Sequence, residues 1–104
     1  MIRVCVSYPN QPGARFEVDY YLSHHMPMVA EKLAAHGMTG WSVDKGIGGF
    51  APGSPAQYLI QARLDIETAE GLQAGMAAEG ASIMADIPNY TDIQPEVQVY
   101  EVLQ

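Results

Sequence analysis

Hydrophobic and polar positions alternate over residues 1–8: Ile2, Val4, Val6 and Tyr8 fall in one phase, Arg3, Cys5 and Ser7 in the other. That period of two predicts a β-strand, and the turn residues PNQPG at 9–13 end it. From about Phe16 to His36 the period lengthens. Val18, Leu22, Val29 and Leu33 fall near helical spacing, with Tyr21, His25, Met28 and Lys32 on a neighbouring stripe. Glu17 and Asp19 at the start and Lys32 near the end suit the helix dipole, and Gly37 is placed to stop the helix. Residues 39–46 predict a second strand and residues 57–66 a third, joined by the long Gly/Pro loop GIGGFAPGSPAQ. That loop lacks the Gly-Lys-Ser/Thr ending of a phosphate-binding loop, so its glycines read as loop chemistry. Thr68 can cap a second helix over about 69–79, with Leu72 and Met76 facing inward and Gly80 ending it. A short helical piece, SIMAD, and the turn PNYTD lead into a fourth strand, VQVYEVL, at 97–103.

The order is β-α-β-β-α-β. It predicts an α+β, ferredoxin-like fold in which two helices cover one face of a four-stranded antiparallel sheet. A chain of 104 residues suits one domain, 1–104. Strands one, three and four carry apolar residues in both phases, so the face left open is expected to be partly apolar and to pair with a second copy.

Composition narrows the partners. With 48% apolar and 16% charged residues, the chain is expected to be globular rather than disordered. Five basic residues against twelve acidic give a net charge of −7, and the five are scattered. Phosphate neutralisation needs clustered cations, so neither nucleic acid nor an anionic membrane is an expected partner. No stretch approaches the roughly 20 apolar residues that span a bilayer. The start, MIRVCVSYPN, lacks the charged-then-apolar pattern of a signal peptide. The lone Cys5 allows no internal disulfide and sits between valines, which reads as a small buried residue in a protein of the reducing cytoplasm.

Polar chemistry concentrates in YYLSHHMPM, residues 20–28. Adjacent His24 and His25 point about 100° apart on a helix, and His36 lies about 16 Å further along the axis. Neither spacing builds a three- or four-ligand metal set, so no metal site is expected. Tyr21 and His25 stand at i and i+4 and share a face, where a phenol can set the imidazole's tautomer. Pro27 obliges the helix to kink, or to end and restart with Pro27 at its first position. After a restart, His25 would lie near a positive helix terminus, which favours the neutral base. The same histidine also suits a structural role, satisfied by a carbonyl or a partner chain. Met26 and Met28 read as core or pocket lining, as do Trp41, Tyr58 and Phe50; Tyr8 ends its strand where pocket-lining side chains often sit. PNYTD reads as a structured turn or as a ligand contact.

The stretches FEVDYYLSHHMPMV and ADIPNYTDIQPEVQVYEV, taken together, resemble the EthD family over essentially the whole chain. The family's histidine falls on His25, immediately before Met26-Pro27. The resemblance implies a dimeric α+β barrel with a pocket between each sheet and its helices. On that footing the chain is expected to be a cofactor-independent enzyme acting on a small hydrophobic, aromatic or polyketide-like compound, of cyclase, decarboxylase or monooxygenase type. His25 would move a proton, with Tyr21 beside it. Tyr8, His24, Met28, Trp41, Tyr58, Met84, Asn89 and Tyr90 are the expected contacts to the compound. The other expectation is a non-catalytic protein that binds a hydrophobic metabolite for a degradation pathway.

Overall fold

The alternating N-terminal segment lies in the interior of the sheet. The computed structural model describes residues 1–104. Its strands are β1 (Ile2–Pro9), β2 (Met38–Lys45), β3 (Tyr58–Ile66) and β4 (Glu96–Glu101), in the order β2-β3-β1-β4 with every neighbouring pair antiparallel. This is the ferredoxin-like α+β arrangement expected from the element order. Register fixes the two faces, because directly opposed residues point the same way. Val4 stands between Leu64 and Val99, and Val6 between Ala62 and Val97, on the side that faces the helices.

The opposite face differs from the expectation. There Arg3 pairs with Asp65 at 2.8 Å, Arg63 with Asp44 at 2.8 Å, and Gln61 donates to Ser7 at 3.1 Å, around Cys5, Gln98 and Tyr100. The face is mainly polar because β1 and β3 alternate strictly where they are paired. The uncovered apolar positions lie instead on the helix side of the edge strand β4, where Val97 is 60% and Val99 51% exposed.

The first helical run is neither straight nor broken. A short α1 (Val18–Tyr20) passes into a π-helical turn (Tyr21–His25), then α2 (Met26–Leu33), then a 3-10 turn (Ala34–His36) that Gly37 stops with φ +95°. Pro27 supplies the physical reason for the wide turn. Its ring clashes with a carbonyl four residues back and it has no N–H to offer. In the π-turn the Met26 N–H reaches back five residues to the Tyr21 carbonyl, which carries the chain past this point without ending the helix. The extra residue rotates the inward face. Tyr21, His25, Met26, Val29 and Leu33 are buried, whereas Val18 and Leu22, expected inward, are exposed.

The second helix, α3 (Ala69–Asp86), is longer than the pattern suggests. Thr68 caps it as expected, its hydroxyl accepting the Gly71 N–H at 3.0 Å. Gly80 does not end it, and SIMAD is its last part. A mid-helix glycine costs only about 1 kcal/mol relative to alanine, which the alanines and burial around it offset. Nor do Leu72 and Met76 carry the inward face alone: Gly75, Gly80 and Ile83 are the buried positions. A Cβ on Gly75 would stand 2.9 Å from Leu33 Cδ2, and one on Gly71 would collide with the His36 carbonyl oxygen. The missing side chains let α3 lie against the end of the first helical run. No helix is long and apolar enough to cross a membrane.

Candidate functional site

Three elements meet at the end of the sheet where β1 finishes. The turn after α3 is fastened to residues 15–17. Arg15 Nη2 donates to the Pro88 carbonyl at 2.7 Å, its Nη1 pairs with Glu17 at 2.6 Å, and its backbone N–H donates to Asp92 at 2.9 Å. The Thr91 hydroxyl donates to the Arg15 carbonyl at 2.6 Å and accepts the Ile93 N–H at 3.0 Å. The Tyr90 carbonyl accepts the Glu17 N–H at 2.8 Å. PNYTD is therefore a structured turn that also delivers Tyr90, fully buried, into the aromatic cluster. Phe16 meets Tyr8, Tyr21 and Tyr90 edge-on at centroid distances of 5.0, 5.0 and 5.4 Å.

The π-turn brings His25 to the same place. Its Nδ1 lies 2.8 Å from Asp86 Oδ2, and its Nε2 lies 3.4 Å from the Tyr90 hydroxyl, which is itself 2.6 Å from the Tyr8 hydroxyl. Asp86 ends α3, where a negative charge opposes the helix dipole. It is held there by donors: Tyr20 gives a hydrogen bond to Oδ1 at 2.7 Å and Asn89 another at 3.0 Å. A carboxylate accepts, so Nδ1 carries the proton and Nε2 keeps its lone pair toward the tyrosines. Tyr21 does not set this tautomer; its ring stacks on the imidazole at 5.4 Å and 13°.

Charges follow from burial. Desolvation lowers the proton affinity of His25, against the opposing pull of Asp86, so the imidazole is neutral at pH 7. Burial works to raise the Asp86 carboxyl, but hydrogen bonds from Tyr20, Asn89 and His25 prevail and hold it below the usual range. Burial pushes all of Tyr8, Tyr21 and Tyr90 up. Tyr8 is pulled back by hydrogen bonds from Tyr90 and Tyr21, while Tyr8 pushes Tyr90 higher still, so Tyr8 is the better of the two places for negative charge.

Beside this constellation is a cavity of about 170 Å³ between the sheet and the helices. Val4, Val6, Ala62 and Leu64 form its sheet wall, and Met26, Val29, Leu33 and Ile83 its helix wall. Tyr8, Tyr21 and His25 supply polar groups, and Met76, Met84, Gln94 and Val97, all exposed, mark the opening.

Of the side chains picked out in the sequence, the fold brings His25, Tyr21, Tyr8 and Met84 to the cavity, Tyr90 behind it, and Asn89 onto Asp86. It does not bring the others there. His24 is exposed and packs on Tyr20 at 4.8 Å; Met28 packs on the core away from the cavity. Trp41 lines a surface depression with Ala30 and Met38, and Tyr58 donates to Glu96 at 2.9 Å. Asp86, Tyr20 and Met26 join the site without having been expected in it. Asp86 carried one readable signal, an acid where a helix ends. Nowhere do three or more His, Cys, Asp or Glu side chains converge as a metal ion would require.

No family model and no curated protein matches the chain. Solved structures do. An EthD-like protein of Ralstonia eutropha JMP134 is 41% identical with a TM-score of 0.92, covering 99% of this chain and 92% of that one. An ethyl tert-butyl ether (EthD) family protein of Bacillus halodurans C-125 is 18% identical with a TM-score of 0.73, covering 99% of both chains. A dimeric ferredoxin-like protein of unknown function from Thermobifida fusca YX is 14% identical with a TM-score of 0.50, covering 97% of this chain and 90% of that one; at that identity it shares the fold alone. The likeness to the Ralstonia protein runs from the first strand to the last at an identity that fold convergence does not produce, and the chain therefore belongs to the EthD-like family.

Proposed function

We propose that this protein is a cofactor-independent enzyme in which His25 removes a proton from a small hydrophobic compound held in the cavity. The observation that carries the reading is the 2.8 Å contact between His25 Nδ1 and Asp86, which leaves a neutral imidazole with its lone pair toward the tyrosines. In the step, Nε2 takes a proton from carbon or oxygen and the imidazolium is stabilised by the Asp86 carboxylate. The substrate's pair of electrons moves onto its oxygen, where Tyr8 and Tyr21 are the hydroxyls available in the cavity lining. Cyclase, decarboxylase and monooxygenase reactions of aromatic compounds all begin with such an anion. The protein would work in the cytoplasm as a homodimer. A second copy would cover Val97 and Val99, and dimerisation is stated of the Thermobifida neighbour.

The test is hydrogen–deuterium exchange at the α-carbon of cyclohexanone in D₂O, followed by proton NMR. Wild type should exceed His25→Gln by about 10²–10⁴-fold, the usual range for a positioned base. Equal exchange in the two proteins, with the ketone bound in both, would instead support the reading of a non-catalytic carrier.

A further inference from the structure

The cavity is unusual in what it lacks. The chain has five cationic side chains, and none lines it. Arg3 and Arg63 are paired with Asp65 and Asp44 on the far face of the sheet. Arg15 is paired with Glu17, Lys32 with Glu79, and Lys45 is exposed at the end of β2. The nearest full charge is the Asp86 carboxylate behind His25. An anion entering here would lose its hydration and meet no countercharge. The polar groups that line the cavity, Tyr8, Tyr21, His25 and Gln94, are all neutral, so they can satisfy one oxygen without requiring it to be charged. Size sets a second limit. A volume of 170 Å³ is close to the roughly 150 Å³ of an engineered protein cavity that accepts benzene, and is short of a fused polycyclic.

We propose that the cavity selects uncharged single-ring compounds bearing one hydroxyl or carbonyl oxygen, and rejects carboxylates and fused-ring compounds. The inference takes the pocket of the function proposed above and names its ligand class. It places selectivity on an absence of cations rather than on any one contact. The substrate's negative charge is therefore created inside the cavity, as the partner of imidazolium, and is not carried in.

The experiment uses the full chain labelled with ¹³C at the methionine methyls, so that Met26, Met76 and Met84 report on the cavity and its opening. It is titrated at pH 7.5 with 4-methylphenol, 4-methylbenzoate and 2-anthrol. 4-Methylphenol should shift these methyls saturably, and 4-methylbenzoate should bind at least about 30-fold more weakly. 2-Anthrol should produce no saturable shift of Met26. Met84→Lys, at an exposed position on the opening, should raise 4-methylbenzoate affinity by about tenfold while leaving that of 4-methylphenol within about twofold. Carboxylate binding as tight as the phenol's, or anthrol binding at Met26, would overturn the selectivity and leave the proton-transfer reading standing. No shift with any probe would remove the pocket itself. His25→Gln separates the two ideas: it should keep the preference for the neutral probe while losing α-carbon exchange.

Discussion

Replacing Asp86 by asparagine changes the site through one proton. The carboxylate accepts from Tyr20 at 2.7 Å, His25 at 2.8 Å and Asn89 at 3.0 Å. Asparagine has the same outline but only one accepting oxygen. Placed to serve Tyr20 and Asn89, that oxygen leaves the amide nitrogen facing His25 Nδ1, which must then accept. The imidazole proton moves to Nε2 and the base loses the lone pair that faced the tyrosines. Hydrogen bonds to a charged group contribute roughly 1.5–3 kcal/mol, against 0.5–1.5 for neutral pairs. Two such bonds become neutral and one reverses direction, while relief of the charge at the end of α3 returns about 0.5 kcal/mol. The net loss is about 2 kcal/mol, equivalent to roughly 8–16 °C in Tm for a chain of this size. The assays are urea denaturation, long-range ¹H–¹⁵N correlation of the histidine rings to read the tautomer, and exchange of cyclohexanone, which should fall about 10²–10⁴-fold. An Asp86→Asn protein that keeps its proton on Nδ1, or exchanges the ketone at the wild-type rate, would refute the reasoning.

The pH dependence follows from the lowered proton affinity of His25. An unfolded histidine takes its proton near pH 6.5, whereas the folded one, disfavoured by burial, takes it only at lower pH. Between those values the unfolded state holds more protons, so the contribution is full above pH 6.5 and is lost as pH falls through the folded value; urea midpoints at pH 7.5, 6.5 and 5.5 should decline in that order, and less so in His25→Gln. The lowered Asp86 carboxyl acts in the same direction, but below pH 3.8. Two glycines of one helix should respond oppositely to alanine. Gly71→Ala forces a methyl onto the His36 carbonyl and should cost about 1–2 kcal/mol, whereas a methyl at Gly80 meets only the flexible end of Met76 at 3.3 Å and should stabilise by about 0.5 kcal/mol. Thermal denaturation of both variants checks the contrast.

The strands and their order were legible because β1 and β3 alternate strictly and the turns between them are rich in Gly and Pro. Thr68 and Gly37 announced their caps for local chemical reasons. The length of α3 was not legible: its apolar residues surround the helix and its contact face is made of glycines, which leave no stripe to read. The inward face of the first helix was misread at Val18 and Leu22, since a period of 3.6 assumes that no residue is inserted. Within the site, His25 and Tyr21 could be found because four-residue spacing joins them. Asp86 stands 61 residues from His25, and no local pattern connects the two. The polar outer face of the sheet was also obscured, because counting apolar residues in each phase ignores which positions of a strand are actually paired.

The π-turn has a consequence for anyone who would move this site elsewhere. In a regular helix two successive residues point about 100° apart and are seldom both buried. Here His25 and Met26 both face inward, one toward Asp86 and the other into the apolar wall that Val29 and Leu33 continue. Transplanted onto an unmodified helical scaffold, the same side chains would lose register with one another: aligning the histidine would turn the wall outward, and aligning the wall would withdraw the histidine. Deleting one residue between Tyr21 and His25 should have a like effect in the native chain. The constellation is thus portable only together with its irregular turn, and a search for the site in other proteins should look for that extra residue before the proline as well as for the histidine.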